Sequence, residues 1–407
     1  MTDRLYYTDP YLRAFDAAVV RVERRDDRLA VALDRTAFYP TSGGQPFDTG
    51  TLGSARVVEV IDAEDGTVTH VTELKTENSE LKTGDAVHGE IDWPRRFDHM
   101  QQHSGQHVLS AAFDQLCKVR TVSFHLGAAV STIDLAREMS ADEIAAAEAE
   151  ANRVVWDDRP VTIRFADAEE AARLPLRKES LRGGILRLID VDGFDLSACG
   201  GTHVSRTGGI GVIAVASWER FKGGQRLEFV CGGRALGAYW RLRNAMTASI
   251  RLLSVLPDEL PAAIERLQGD AKEQQRSITG LESDLARYRA DELAASAEEV
   301  RLKPDTTDTV ETFRFVARAI DADANGLKSL ATALVARPGL LVVLVSRSTP
   351  ALLVIGRSAG VPISAQHLLT QLIAAFGGRG GGRPEMAQAG GLSATSDAIL
   401  TAVRKLI

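Results

Sequence analysis

The chain has 407 residues, 44% of them apolar and 25% charged, with 48 basic against 55 acidic side chains and a formal net charge of −7. At about 150 residues per domain this length predicts two to four domains, the composition excludes a disordered or collagen-like chain, and the negative balance excludes bulk adhesion to nucleic acid, so RNA binding requires a local basic patch. Cys117, Cys199 and Cys231 are too few and too scattered for a disulfide framework; the first six residues lack the basic region and apolar run of a signal peptide and no stretch approaches the roughly 18 apolar residues of a span, which predicts a cytoplasmic protein with no membrane contact.

Apolar residues alternate with period two over residues 17–23, 29–33, 55–61, 67–71 and 86–91, the first two flanking the turn Arg24-Arg25-Asp26-Asp27. Such closely spaced short strands predict a small β-barrel or folded-over sheet over residues 1–93. A Gly-rich loop, Tyr39-Pro40-Thr41-Ser42-Gly43-Gly44-Gln45-Pro46, interrupts them. Residues 94–256 read as an α+β domain. A helix is predicted over 96–116, and a second opens at Ser140, where Ser140 and Glu143 have capping-box spacing. Strands at 185–191, 210–217 and 226–231 precede a helix over 234–256.

From 257 to 303 the pattern changes. Leu260, Ile264, Leu267, Ala271, Gln274, Ile278, Leu281, Leu285 and Tyr288 recur at steps of four and three, a heptad seam weakened by Gln274, Gly269 and Gly280. Such a seam belongs either to a helical arm folded as a hairpin or packed on its own protein, or to a homodimer formed through the arm or the C-terminal domain. The linker Lys303-Pro304-Asp305-Thr306-Thr307 marks a boundary. Residues 304–407 alternate helices (325–336, 364–376, 396–407) with buried strands (340–346, 352–356), which predicts a compact α/β domain.

The chemistry is concentrated in two motifs. His99, His103 and His107 stand at i, i+4 and i+8 on the first predicted helix, stacked along one face. One adjacent pair can share a tetrahedral cation; the third, about 12 Å from the first, cannot join it. Some ninety residues on, Cys199-Gly200-Gly201-Thr202-His203 adds a thiolate and an imidazole on a turn that glycine lets curl tightly. A mixed nitrogen and sulfur set suits Zn²⁺ over Mg²⁺ or Ca²⁺. Ser104 stands where an H-E-x-x-H metalloprotease carries its glutamate, which weakens that alternative.

HSGQH followed by CGGTH, with TAFYPTSGGQPFDTG before them and SWERFKGGQRLEF after, resembles the editing domain of alanyl-tRNA synthetase and the AlaX trans-editing proteins. The stretch GGRGGGRPEMAQAGG resembles the glycine-rich element of the DHH-associated C-terminal domain. Residue 1 already lies close to the predicted barrel, so the aminoacylation domain is expected to have no counterpart. The resemblance implies an α+β protein with an N-terminal small β-barrel, a zinc-containing editing domain, a helical arm and a C-terminal tRNA-binding domain. It implies hydrolysis of tRNA(Ala) mischarged with serine or glycine, one Zn²⁺ per chain held by His103, His107, Cys199 and His203, and recognition of the wrong amino acid through Thr36 and Gln45. His99 takes a polar role lining the site.

An apolar pocket separates alanine from serine only about a hundredfold, whereas a site offering the serine hydroxyl a partner leaves that partner unpaired with alanine and discriminates by roughly 10⁴. Thr36 supplies such a hydroxyl. For the ester, zinc offers a lowered water pKa and Lewis acidity if one ligand yields to water or substrate; otherwise the ion positions the terminal adenosine while Gln45 and the Gly43-Gly44 amides orient water. Basic and aromatic residues around a glycine turn, Arg220, Lys222 and Arg226 with Trp218 and Phe221, suit a single-stranded acceptor end, although a hairpin turn without a ligand has the same composition. Arg379 and Arg383 contribute to a local excess of positive charge after Ala351 that favours tRNA docking, although glycine with arginine also makes linkers. Two alternatives stand beside the deacylase: a non-catalytic tRNA-binding protein with structural zinc, and a zinc hydrolase acting on a small molecule or peptide.

Overall fold

The structure, a computed structural model, describes residues 1–25, 28–73, 81–177, 184–302 and 311–407. Asp26 and Asp27 of the predicted turn, and the predicted linker from Lys303 to Thr307, lie outside the described residues. The chain divides into two compact units, Met1–Ser249 and Ile250–Ile407. The architecture is α+β, and no helix among the described residues is long and apolar enough to cross a membrane.

In the first unit β1 (Asp3–Arg4) pairs in parallel with β4 (Arg35–Thr36). Strands β2 (Ala14–Arg25), β3 (Arg28–Leu33), β5 (Gly50–Leu52), β6 (Ala55–Asp62), β7 (Val68–Glu73) and β8 (Ala86–Ile91) close into a six-stranded barrel in the order β2-β3-β7-β6-β5-β8. Alternation is clearest in β8, where every second residue is buried, and the inward set, Val19, Leu29, Val31, Leu52, Val57 and Val60 among it, fills the barrel around Phe15 and Phe38. Register shifts after Val19 in β2 and Val57 in β6 bend the sheet toward closure.

Helix α1 (Trp93–Cys117) follows directly, with proline in its first turn and Lys118 in the left-handed conformation closing it. Helix α2 (Ala141–Trp156) begins at Ser140 with both arms of the predicted capping box formed. Met100, Leu109 and Phe113 of α1 pack with Ile144, Ala147 and Val154 of α2. Strands β9 (Thr121–Leu126), β10 (Ser131–Leu135), β14 (Ile213–Phe221) and β15 (Gly224–Cys231) form a sheet in the order β14-β15-β10-β9, and β11 (Val161–Ala166), β12 (Leu186–Val191) and β13 (Asp195–Ala198) form another. Leu227 and Phe229 of β15 join the core beneath the helices. Lys222 and Gly223, both at positive φ, make a two-residue turn between β14 and β15. Two further helices of the chain are α3 (Ala168–Arg173) and α4 (Gly232–Leu253).

A buried ion pair joins barrel to helix. Arg96 and Asp48 are both fully buried, and the guanidinium donates from Nε and Nη2 to the carboxylate at 2.5–3.1 Å. Its remaining donors reach the carbonyls of Pro10 (2.9 Å) and Ala37 (2.5 Å), and Asp48 also accepts the Tyr39 N–H. Every polar atom of the pair is satisfied by the strands and loops it joins.

In the second unit the predicted heptad lies on one unbroken helix, α5 (Leu260–Ala295), and not on a hairpin. Ile264, Leu267, Ile278, Leu281, Leu285 and Tyr288 are exposed, while Ala290 and Ala294, on another face, pack against α6 (Ala324–Val335). The heptad reading followed large apolar residues; the contact within this unit is made by small ones that let two helices approach. Strands β16 (Glu298–Leu302), β17 (Glu311–Ile320), β18 (Leu340–Ser346), β19 (Ala351–Arg357), β20 (Arg379–Gly382) and β21 (Met386–Leu392) form a sheet ordered β16-β17-β18-β19-β21-β20. Helices α7 (Ala365–Phe376) and α8 (Ser396–Leu406) cover one face and α6 the other. The glycine-rich segment is therefore a hairpin at a sheet edge. A Cβ on Gly380 would stand 2.2 Å from the Gln388 carbonyl oxygen, so the strands pair this closely only with glycine.

Replacing Asp48 with alanine leaves Arg96 buried and unpaired, which should cost about 3–5 kcal/mol of stability, read from denaturant unfolding of the first unit's transition. A loss below about 1 kcal/mol would show that the barrel and helix are joined by apolar packing alone.

Candidate metal centre

The i, i+4 spacing on α1 sets His103 and His107 one turn apart, and the turn after β13 brings Cys199 and His203 to them. The four ligand atoms lie within 4.8 Å of one another. Cys199 Sγ is 3.4 Å from Nε2 of both His103 and His203. A tetrahedral zinc with the usual bond lengths has a sulfur–nitrogen edge of about 3.6 Å, so the donors stand at coordination spacing. A Cβ on Gly201 would fall 2.1 Å from His103 Cε1, so the loop can seat against the helix only with glycine there.

Each imidazole is held from behind. His103 Nδ1 bonds Gln45 Oε1 (2.8 Å), His107 Nδ1 bonds Asp195 Oδ2 (3.1 Å), and His203 Nδ1 bonds Ser104 Oγ (3.2 Å). These bonds place the ring proton on Nδ1 of His103 and His107 and leave Nε2 free to ligate. The supports are themselves supported. Gln45 Oε1 also accepts the Thr202 N–H and its Nε2 donates to Thr202 Oγ1; Asp195 is paired with Arg177 and accepts from Ser197; Ser104 Oγ accepts the Val204 N–H.

Electrostatics favour the ligating form of the sulfur. Burial opposes ionisation of Cys199, but His103 and His203 beside it, and hydrogen bonds from His103 and His107, carry the thiol well below its ordinary range. Burial pushes His203 down to about 3, keeping it neutral. His107 moves the other way: burial opposes its charge, yet hydrogen bonds to Asp195 and Cys199 lift it to about 9. Metal binding there releases a proton and becomes pH-dependent.

The other sequence-derived residues fall in several places. Gln45 is fully buried and holds His103; its carboxamide oxygen faces the ligand shell. Thr36 is in the barrel, where its hydroxyl bonds His70 Nε2 (2.8 Å) and accepts the Phe38 N–H (3.1 Å). His99 lies outside the four-donor group; it is buried, its Nδ1 has no partner among the described residues, and burial beside Arg95 lowers it to about 4. In the hairpin of β14 and β15, Arg226 is bound to Asp134 and stacked on Phe221, Arg220 pairs with Glu138, and Lys222 stands over Phe221. Arg379 and Arg383 are exposed at the two ends of β20.

Sequence reasoning missed Asp195, Ser104, Thr202, His70 and Arg187. Ser104 and Thr202 sit inside the two motifs and were the readable ones. Asp195 lies 88 residues from the histidine it orients, and His70 34 residues from Thr36; only the folded chain pairs them.

Comparison with known proteins adds three family matches: class II (A) tRNA synthetases over residues 11–95, the threonyl and alanyl tRNA synthetase second additional domain over 186–228, and the DHHA1 domain over 312–407. The alanyl-tRNA editing protein AlaX-L of Pyrococcus horikoshii is 32% identical over 95% of this chain and 94% of its own. The alanine–tRNA ligases of Pyrococcus abyssi (33% identical, 95% of this chain) and Halobacterium salinarum (36%, 96%) are also similar, and the chain spans 42% of their length. The C-Ala domain from Aquifex aeolicus alanyl-tRNA synthetase is 23% identical with a TM-score of 0.22, covering 27% of this chain and 96% of that domain.

Two outcomes follow from this geometry. Asp195→Asn should weaken zinc binding about 10–100-fold in a chelator competition assay while the fold persists; unchanged affinity would deny the carboxylate its orienting part. Burial lowers His70 to about 4, so the unfolded chain binds its proton first as pH falls. Stability should therefore be full above about pH 6.5 and decline toward pH 4 by on the order of 3 kcal/mol, and His70→Gln should flatten that decline in urea titrations at successive pH values.

Proposed function

The chain belongs to the alanyl-tRNA editing protein AlaX-L family, and from that premise we propose that it hydrolyses, in trans, the aminoacyl ester of tRNA(Ala) mischarged with serine or glycine, using one zinc ion. The observation that carries the zinc assignment is the convergence of His103, His107, Cys199 and His203 with every imidazole fixed through its far nitrogen. Zinc bound there supplies Lewis acidity and a lowered pKa for water within its reach.

The protein's own groups do the rest. Gln45 acts on His103, a change from the water-orienting part given it from sequence, because its oxygen already accepts two hydrogen bonds. His70 Nδ1 donates to the Val31 carbonyl, so its Nε2 is an acceptor and the Thr36 hydroxyl must donate to it. Thr36 Oγ1 then offers a lone pair, which selects a substrate that can donate: the serine hydroxyl. Alanine leaves that lone pair unanswered. Neutral His99, one turn before His103, is available to hold a proton-bearing group of the bound terminus. Lys222, Arg379 and Arg383 are the basic residues left to meet phosphates, since Arg226 and Arg220 already face carboxylates. A non-catalytic protein with structural zinc is favoured by one feature: four protein donors complete a tetrahedron.

The deciding experiment is deacylation of Ser-, Gly- and Ala-tRNA(Ala) by the zinc-loaded chain. Ser-tRNA(Ala) should be hydrolysed and Ala-tRNA(Ala) spared, His103→Ala should lose zinc and turnover together, and Thr36→Val should reduce the serine-over-alanine ratio at least tenfold. Stable Ser-tRNA(Ala) in the presence of loaded protein would favour the structural-zinc alternative.

A further inference from the structure

Two buried donors beside the metal loop have nothing to donate to. Arg187 on β12 is only 7% exposed. Its Nε donates to the Tyr7 carbonyl (2.9 Å) and its Nη1 to the carbonyls of Cys199 (2.7 Å) and Gly201 (2.9 Å). Its Nη2 is buried without a partner among the described residues, and so is the hydroxyl of fully buried Tyr6. The two flank Tyr7: the Tyr6 ring packs edge-on against it at 5.1 Å, and the Arg187 guanidinium lies 5.5 Å from its centroid. Tyr39 completes the wall, 5.2 Å from Tyr6, with its own hydroxyl donated to the Ser42 carbonyl. Arg4 lies close by, but its guanidinium is turned to Asp62 and to the Tyr7 hydroxyl.

Arg187 differs from Arg96, the other deeply buried arginine of this unit. Arg96 has Asp48; the hydrogen-bond partners of Arg187 are all backbone carbonyls. A buried cation without an anion, next to a buried hydroxyl without an acceptor, is costly unless a ligand completes both. Both vacant partners are of one kind, an acceptor oxygen, and the charge selects an anionic one. A divalent ion among three neutral imidazoles and one thiolate leaves one positive charge in the donor cluster, to which Arg187 adds a second across the Cys199 carbonyl. Asp195, the acid of the ligand shell, is already answered by Arg177.

We propose that Tyr6 Oη and Arg187 Nη2 together receive an anionic oxygen of the bound aminoacyl-adenosine terminus. The inference rests on the deacylase reading above. In hydrolysis the water oxygen bonds to the ester carbon, the carbonyl electron pair moves onto its oxygen and returns as the bond to the ribose oxygen breaks, and the proton lost by water ends on that ribose oxygen. An anionic oxygen is therefore present either transiently at the ester carbon or permanently on the phosphate of the terminal nucleotide.

The test uses the full zinc-loaded chain and Tyr6→Phe, which keeps the ring packing and removes only the hydroxyl, with Arg187→Lys as a second variant. Steady-state hydrolysis of Ser-tRNA(Ala), zinc content, melting temperature, and calorimetric binding of adenosine and adenosine 5′-monophosphate are measured. Tyr6→Phe should retain its zinc and melting temperature. A tenfold or greater fall in kcat with KM unchanged assigns the oxygen to the ester; a rise in KM, with the wild-type preference for the monophosphate over adenosine abolished, assigns it to the phosphate. Kinetics and nucleotide binding within twofold of wild type, or a loss of turnover matched by loss of zinc or of fold in both variants, would overturn the inference. A wild-type chain that does not deacylate Ser-tRNA(Ala) would overturn the functional reading first.

Discussion

The site depends on one buried ion pair that lies outside it. Arg96 and His103 are seven residues apart on α1, two turns along the same face and about 10.5 Å along the axis. Their partners, Asp48 and Gln45, are three residues apart in the loop leaving the barrel. Helix and loop are thus joined by two parallel rungs, one ionic and one amide-to-imidazole. Because Asp48 also fixes the Tyr39 N–H and Arg96 the Ala37 carbonyl, the glycine-rich stretch between Tyr39 and Gln45 is anchored at both ends. Its glycines provide the turn and the ion pair provides the register.

Around the metal donors the same logic is repeated at shorter range. Gln45 comes from the barrel loop, Asp195 from the end of a three-stranded sheet, and Ser104 from α1 itself. Three separate elements each steer one ring. The cysteine needs no such steering, because its loop is clamped by Arg187 through two carbonyls and by the fit of Gly201 against His103. Barrel, sheet and helix contribute different supports to one small volume, so the first unit operates as a whole.

Much of this was legible in the sequence, for reasons that can be named. Period-two runs in 55–61 and 86–91 became barrel strands because one face of each is buried and the other is not. The capping box at Ser140 is a purely local device and formed as expected. The four metal donors were readable because both motifs carry their spacing within five residues. Strands such as Thr121–Leu126 and Val161–Ala166 were not, since they bury too few residues to show alternation. The glycine-rich tail read as a loop because glycine lacks β-propensity, yet it pairs as an edge strand where the neighbouring backbone comes too close for any side chain. The partners of the histidines could not be read at all, because each depends on a contact made across 58 to 99 residues.

Three of the four ligating side chains are oriented by hydrogen bonds that make no reference to an ion. In small zinc modules the ion is the organiser, and its removal dissolves the structure. Here the cage is assembled by folding and then waits. Capture of the ion demands little rearrangement, and its release leaves a native chain able to be reloaded, so occupancy is set by the metal supply around the protein and not by the history of its synthesis.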